Sequence, residues 1–304
     1  MENFKMLSFQ EKISLIKELN AIDLATCSVD FLIDFINPII TGYTVNTYTF
    51  LPDNILYRGI KYETKPSDYH DLIYPPKNST ILNRANLEGE QMFYCATNKK
   101  APFYELGLKK GDRIALTTWS LVKPICCNNV GYTKSNFDSL GAKREVPVEP
   151  IEKPWKLDIK ENKIIAEFLA QAFCKSHFQG NLDYYKLTNA IAKKHIASDF
   201  HGLLYPTIQY SANADNMALT KKTIDSHYLR IEQVEYIEVD KIINNKYAYK
   251  ILDISKEIIN DKINWMNTDK SWIVSDEDDD VYFTDEFGAL EAYDSEGNLI
   301  PPIG

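Results

Sequence analysis

Four short segments between residues 57 and 105 decide how the rest of this chain is interpreted. They read YRG at 57–59, NRANLEG at 83–89, MFYCA at 92–96 and APFYE at 101–105. In order along the chain they supply Arg58, Arg84, Tyr94 and Glu105. Guanidinium groups match phosphate oxygens, a phenol ring can stack on a flat base, and a carboxylate can stabilise a sugar cation. The set predicts chemistry on a dinucleotide, although the Gly-rich fingerprint of a Rossmann domain is missing.

The composition is that of an ordinary globular protein. The 304 residues allow one large domain or two small ones, and 44% of them are apolar. The formal net charge of −9 argues against non-specific nucleic-acid binding, which needs an excess of Lys and Arg. Five cysteines without Cys-x-x-Cys spacing are typical of reduced thiols rather than of disulfides or a zinc site. We see neither a signal peptide nor a membrane-spanning apolar run, so we expect a cytoplasmic protein without membrane contact.

Hydrophobic periodicity predicts a mixture of helices and short strands. In the first half we expect a helix at 8–22 with Ser8 and Glu11 as a capping box, a helix at 27–38 ending before Pro38, strands at 43–50, 55–58, 91–96 and 113–122, an ordered loop at 62–82, and a helix at 99–108 with Glu105 on its inner face. In the second half we expect an irregular excursion at 123–156, helices at 162–174 and 182–197, strands at 202–206, 216–219 and 228–239, and strand-like pieces in the tail with a hairpin signal at 294–298. Because no regular βαβ alternation appears, the pattern favours an α+β fold.

A family resemblance is carried by three groups of residues. The string NRAN with Gly89, followed by Phe93-Tyr94, Ala101 and Glu105, resembles the RES domain family. Tyr57-Arg58 resembles the first arginine motif of that family. The segments GLLYPT at 202–207 and NMAL at 216–219 resemble its late motif. The match spans roughly residues 55–240.

The resemblance implies both a fold and an activity. The RES family is named for an Arg, a Glu and a Ser, and it is similar in fold to ADP-ribosyltransferase toxins. Its members degrade NAD and are usually paired with an antitoxin that carries a helix-turn-helix domain. By resemblance we expect an ADP-ribosyltransferase-like mixed sheet core with flanking helices, NAD as substrate, and no required cofactor or metal. We divide the chain into a helical segment at 1–50, a catalytic domain at 51–240 and an acidic extension at 241–304.

The resemblance also assigns roles to side chains. Glu105 becomes the catalytic carboxylate, Arg58 and Arg84 hold the pyrophosphate, and Tyr94 stacks on a ring. Each residue has a structural alternative: surface ion pairs for the arginines, a core position for Tyr94, and a helix-surface pair with Lys109 for Glu105.

The family serine is replaced in this chain. Thr207 stands where the family usually has Ser, and it keeps the hydroxyl but adds a methyl group. Ser211 is a second candidate for the catalytic hydroxyl. Because of Thr207, a catalytically silent nucleotide- or protein-binding module stays open as an alternative. So does transfer of ADP-ribose to a protein or to phosphate instead of water.

Three other groups are given structural interpretations. His195 and His201 lack further ligands at metal-binding spacing. The acidic run 276–280 lacks the Gly and the final Glu of a calcium-binding loop. Cys126-Cys127 has no adjacent group that would activate a thiolate.

Overall fold

The computed structural model describes residues 6–147, 157–175, 182–196, 199–243 and 246–267, together with the strand backbones at 271–275, 281–284, 290–293 and 299–300. Among these residues the helices are α1 (Phe9–Ala21), α2 (Val29–Ile40), α3 (Ala101–Glu105), α4 (Lys134–Leu140), α5 (Ile159–Phe173), α6 (Tyr184–His195) and α7 (Lys221–Asp225). The strands are β1 (Thr47–Phe50), β2 (Ile55–Lys61), β3 (Met92–Ala96), β4 (Arg113–Leu121), β5 (Ile125–Asn129), β6 (Gly202–Pro206), β7 (Asp215–Thr220), β8 (Leu229–Ile243), β9 (Lys246–Ser255), β10 (Ile258–Ile259), β11 (Lys262–Ile263), β12 (Ser271–Ser275), β13 (Val281–Thr284), β14 (Leu290–Tyr293) and β15 (Leu299–Ile300).

The chain forms two compact units whose segments interleave along the sequence. The helical unit comprises Met1–Leu51, Pro75–Tyr94 and Lys123–Tyr228. The antiparallel unit comprises Pro52–Tyr74, Cys95–Val122 and Leu229–Gly304. The boundary between them falls inside β3, after Tyr94. The division into segments 1–50, 51–240 and 241–304 stays a prediction.

The helical unit combines a mixed sheet with most of the helices. Strand β1 pairs antiparallel with β5, β5 pairs parallel with β6, and β6 pairs antiparallel with β7. Apolar side chains from α2, α5, α6 and β6 form its core. The fully buried ones include Leu32, Ile36, Phe173, Ile191 and Leu203.

Helix α1 begins where the sequence predicts it, and α2 does not end there. Ser8 accepts a hydrogen bond from Glu11 N, and the Glu11 side chain bonds back to Ser8 N, so the predicted capping box is present. The prediction that α2 stops before Pro38 is wrong, because the helix continues through Pro38 to Ile40. Burial of Ile36 and Ile39, both 0% exposed, offsets the backbone hydrogen bond that proline removes.

The prediction of an irregular excursion over 123–156 is wrong in its first part. Strand β5 and helix α4 occupy much of this stretch, and residues 148–156 lie outside the described residues. Asparagine is depleted in strands and β5 (ICCNN) has one β-branched residue, so it gives little local signal. Its strand conformation comes from pairing with β1 on one side and β6 on the other.

The antiparallel unit is built around long strands. The order β2-β4-β8-β9-β12-β13-β14-β15 is antiparallel throughout, and β10 and β11 form a separate hairpin. Alternate side chains of β9 are buried, as expected for a strand with one face on a core. Helix α3 contributes Phe103 to this core and is shorter than the predicted 99–108. The tail hairpin signal at 294–298 and the acidic run 276–280 lie outside the described residues.

The predicted α+β class is confirmed, since helices and mixed strand pairing occur together without regular βαβ repetition. No helix in the described part of the chain has both the length and the apolar character needed to cross a membrane.

Candidate functional site

The NRAN segment in the helical unit is held in one conformation by Tyr94. The Tyr94 hydroxyl accepts a hydrogen bond from Ala85 N at 3.0 Å and donates one to Asn86 Oδ1 at 2.7 Å. Asn83 N donates to Asn86 O at 3.0 Å, which closes the turn. The Asn86 amide, 2% exposed, donates to two backbone carbonyls of the same loop. The phenol therefore contributes its polar end to loop structure, while its ring packs on the core of the unit.

Arg84 is buried in the helical unit. It is 9% exposed, and its Nη1 donates to the carbonyl of Phe173, the last residue of α5. Its guanidinium carbon lies 5.7 Å from the centroid of the Phe173 ring and 5.9 Å from that of Tyr185. A cation is favoured here because the C-terminal end of a helix carries partial negative charge. The described contacts give Arg84 a role in joining the NRAN loop to α5.

Thr207 lies at the end of β6 and organises the turn that leads to β7. It is 0% exposed, and its hydroxyl donates to Ala214 O at 3.0 Å and accepts from Ala214 N at 3.2 Å. Inside this turn Ser211 and Ala212 both have left-handed backbone conformations, with φ of 52° and 53°. Such conformations are costly for residues other than Gly. The surrounding bonds, including one from Arg144 Nε to Ala212 O, hold them in place.

Four predicted residues belong to the helical unit, namely Arg84, Tyr94, Thr207 and Ser211. The Phe173 ring, against which Arg84 lies, meets the Tyr205 ring edge-on at a centroid distance of 5.3 Å. Tyr205 precedes Thr207 by two residues on β6 and its extension. Arg84 and Tyr205 thus contact the same buried ring, that of Phe173, and Tyr94 packs on the same core. Polar atoms of Arg84, Tyr94 and Thr207 form structural hydrogen bonds.

Arg58 and Glu105 belong to the antiparallel unit. Arg58 is half-buried on β2, and its Nε donates to Leu72 O at 3.3 Å. Helix α3 packs against β2 at Gly59, where an added Cβ would lie 2.9 Å from Leu106 Cδ1 and 3.0 Å from Pro102 Cβ. Because side chains alternate along a strand, Arg58 points to the face opposite α3. Glu105 is the half-buried last residue of α3.

A charged pair that the sequence analysis does not single out lies in the same unit. Glu235 on β8 is 3% exposed, and its carboxylate is paired with Lys99 Nζ at 2.7 Å. Burial raises the pKa of Tyr57 on β2, and the Glu235 carboxylate raises it further. The burial of Glu235 has a signal in the sequence: it is two and four positions before Ile237 and Val239, which are buried apolar residues. Every second residue of a strand points to the same face.

His195 and His201 both lie within hydrogen-bonding distance of backbone atoms. His195 Nδ1 lies 2.9 Å from Ile191 O, and burial lowers the pKa of the ring. His201 Nδ1 accepts from Cys126 N at 3.0 Å, and its ring packs on Tyr228. Within the described ranges, no three His, Cys, Asp or Glu side chains converge as a metal ion would require.

No protein-family model matches the chain, and no curated protein is found to be similar to it.

Proposed function

We propose that this chain is an NAD-consuming enzyme with an ADP-ribosyltransferase-like fold, and that it cleaves the bond between nicotinamide and ribose. The observation that supports this proposal best is the integrity of the NRAN segment. Its backbone and side chains are bonded to Tyr94, and its arginine reaches the end of α5. The NRAN residues, which resemble a family motif, therefore form one hydrogen-bonded loop in the helical unit.

In the proposed reaction the C1′–N1 bond of NAD breaks, and its electron pair stays with nicotinamide, which leaves as a neutral molecule. A water oxygen bonds to C1′ and releases a proton to solvent, so the products are nicotinamide, ADP-ribose and H⁺. The ribose carries positive charge in the transition state. We assign the Glu105 carboxylate, half-buried at the end of α3, to stabilise that charge. NAD is the substrate, and the proposal draws on no cofactor.

The other candidates take supporting roles. Arg58 stays the proposed pyrophosphate ligand because a guanidinium matches phosphate oxygens, and it lies half-buried on the face of β2 opposite the helix that carries Glu105. Arg84 and Tyr94 position the NRAN loop, and the Thr207 hydroxyl holds the turn that carries Ser211. Ser211, half-buried in that turn, stays the second candidate for the family hydroxyl.

A catalytically silent binding module is the second candidate. It is favoured by the structural engagement of Tyr94, Arg84 and Thr207, whose polar atoms already have partners inside the helical unit. Such a module would bind a nucleotide or a protein with the same fold and would release no nicotinamide.

One incubation separates these functions. Purified protein is mixed with NAD in three arms: buffer alone, inorganic phosphate, and a protein mixture as acceptor. Nicotinamide and the ADP-ribose product are then quantified by chromatography. The proposal predicts nicotinamide and free ADP-ribose in buffer alone. Product that forms only with phosphate or protein would change the acceptor, and no nicotinamide in any arm would leave the binding module.

We further propose a cytoplasmic location and an inhibitory partner protein of the helix-turn-helix class. A cytoplasmic enzyme that degrades NAD harms its own cell unless it is restrained, and the net charge of −9 suits a basic partner. Strong expression of the chain alone should slow growth and lower cellular NAD. Normal growth and NAD during strong expression of folded protein would contradict the toxin interpretation.

A further inference from the structure

Strand β1 forms an open edge of the sheet in the helical unit. It pairs with β5 on one side and stands first in the strand order, so no strand among the described residues covers its other side. Thr47, Tyr48 and Thr49 are all exposed, and Tyr48 is 37% exposed. The RES-like motifs give this edge no function.

The pairing of β1 with β5 fixes which backbone groups face the open edge. Asn129 N donates to Asn46 O at 3.0 Å, so Asn46 and Asn129 form a hydrogen-bonded pair. Hydrogen-bonded and non-hydrogen-bonded pairs alternate in an antiparallel ladder, so Thr47 and Thr49 fall in non-hydrogen-bonded pairs. Their N–H and C=O groups therefore point away from β5, and in the part of the chain that the structure describes nothing bonds to them.

The edge lacks the features that protect other edge strands from pairing. Proteins block such edges with charged side chains, prolines or bulges, and β1 (TYTF) has none of these. The whole stretch 35–52 contains no Asp, Glu, Lys or Arg, in a chain of which 25% of the residues are charged. Thr, Tyr and Phe are good strand formers. A segment of this composition pairs readily with an identical segment, because no like charges meet.

The edge is complementary to itself. When two copies of β1 run antiparallel about a two-fold axis at Tyr48, Thr47 of one copy lies opposite Thr49 of the other. Each such pair can exchange backbone hydrogen bonds in both directions, and this register uses both outward-facing residues of each copy. The two copies of Tyr48 then form a non-hydrogen-bonded pair, in which side chains lie closest and aromatic contacts stabilise the ladder. A shift by one residue would oppose Thr47 to Tyr48, whose backbone groups are already bonded to β5.

We propose that the β1 edge is a homodimer interface, in which the β1 strands of two copies pair antiparallel with Tyr48 at the two-fold axis. A charge-free edge suits a second copy, since two chains of net charge −9 repel each other where acidic surfaces meet. Pairing of four residues a side buries less than the ~1,200 Å² of a stable interface, so we expect a weak, concentration-dependent dimer. The proposal does not depend on NAD cleavage.

Sedimentation velocity of the full chain between ~10 µM and ~1 mM should show a monomer that converts to a dimer. Thr49→Pro removes an outward N–H that β5 does not use, and Tyr48→Lys places like charges at the axis. Each should weaken dimerisation about tenfold or more. Ile81→Lys adds the same charge at an isoleucine of the same unit that is 74% exposed, and it should dimerise like wild type. Circular dichroism checks that each variant folds.

Disulfide trapping tests the register. Cα atoms of a non-hydrogen-bonded antiparallel pair lie about 4.5 Å apart, within the span of a disulfide. Tyr48→Cys should therefore form a covalent dimer under mild oxidation. Thr47→Cys, about 7–8 Å from its own copy, should cross-link at least about tenfold more slowly. Both are made in a Cys126→Ser background, because Cys126 Sγ lies 3.6 Å from Thr49 Oγ1 and could divert the new thiol.

Four results would overturn the proposal. The first is a wild type that stays monomeric up to ~1 mM. The second is dimerisation that Thr49→Pro or Tyr48→Lys leaves unchanged. The third is an equal loss of dimer in Ile81→Lys, which would place the association on another surface. The fourth is cross-linking of Thr47→Cys as fast as that of Tyr48→Cys, which would contradict the axis at Tyr48.

Discussion

The Tyr94 hydroxyl lies 2.7 Å from Asn86 Oδ1 and 3.0 Å from Ala85 N, so one side chain holds two members of the NRAN segment. Asn86 is 2% exposed and Ala85 is 4% exposed, so water does not readily replace these bonds. The geometry gives Tyr94 a structural role whether or not its ring also meets a ligand.

Tyr94→Phe should therefore lower the free energy of unfolding by about 1–2 kcal/mol, since it leaves a buried amide and a buried acceptor without a partner. The ring remains, so a stacking contribution to NAD binding should persist. Urea unfolding measures the first effect. Tyr48→Phe, at an exposed tyrosine of β1, is the control and should change stability little. Equal stability of Tyr94→Phe and wild type would show that the loop does not depend on this hydroxyl.

The two arginines should respond differently to substitution by lysine. Arg84→Lys should lower the free energy of unfolding by roughly 2 kcal/mol, because lysine cannot reproduce the bond to Phe173 O together with the contacts to two rings. Urea unfolding gives the value. Arg230→Lys, at an exposed arginine of β8, is the matched control. A stability loss no larger than that of the control would contradict the buried role of Arg84.

Arg58→Lys should instead weaken NAD binding about tenfold while the fold is retained, since lysine keeps the charge but loses the bidentate fork. Calorimetry in a Glu105→Gln background would report affinity without turnover. Equal NAD affinity with Arg58 and with lysine at this position would remove Arg58 from the proposed pyrophosphate site.

Local signals explain which parts of the fold could be predicted. The Ser8–Glu11 capping box and the strand predicted at 113–122 depend on near neighbours in sequence, and both are present, although β4 is buried on both faces and does not alternate. Pro38 misled the prediction of α2 because its local cost is offset by burial of Ile36 and Ile39 against distant segments. Strand β5 could not be predicted because its conformation depends on pairing with β1 and β6.

The same limit applies to the candidate site. The sequence places Arg84 near Tyr94 in a motif, but the carbonyl that Arg84 bonds belongs to Phe173, 89 positions away along the chain. The hydrogen bonds between the Thr207 hydroxyl and Ala214 depend on a turn in which Ser211 and Ala212 are left-handed. Serine and alanine rarely adopt this conformation, so their residue types do not predict the turn. Among the described residues Asn129 Nδ2 has no acceptor, whereas both amide atoms of the adjacent Asn128 have partners, and the two residue types are identical in sequence.

Burial makes the cysteines unequal in reactivity. Burial raises the pKa of the Cys127 thiol to about 12, and this side chain is 0% exposed, whereas the adjacent Cys126 is half-buried. Because the thiolate is the nucleophile, a maleimide near neutral pH should label Cys126 in the native protein and leave Cys127 unlabelled. Tandem mass spectrometry of the peptide distinguishes the two, and labelling in urea is the control. Equal native labelling of both thiols would contradict this environment.

Stability should fall at alkaline pH. Burial raises the pKa of Tyr43 and of Tyr184 to about 12, against about 10 in an unfolded chain. Since the folded pKa is the higher one, this stability is complete below pH ~10 and is lost as pH rises towards ~12. Each tyrosine should reduce the free energy of unfolding by about 1 kcal/mol at pH ~11. Urea unfolding near pH ~8 and ~11 measures the loss, and Tyr43→Phe should lose less than wild type. A wild-type loss no larger than that of Tyr43→Phe would contradict the assignment to Tyr43.

Nicotinamide release by Glu105→Gln tests the proposed activity most directly. Glutamine keeps the size and shape of the side chain but not the charge that stabilises a developing ribose cation. We predict that purified wild type and Glu63→Gln, a control at an exposed glutamate of the same unit, release nicotinamide from NAD at similar rates. Glu105→Gln should fold normally and release it at least about a hundredfold more slowly, as expected when an electrostatic contribution to the transition state is lost. Release by Glu105→Gln at the wild-type rate would contradict the proposed mechanism.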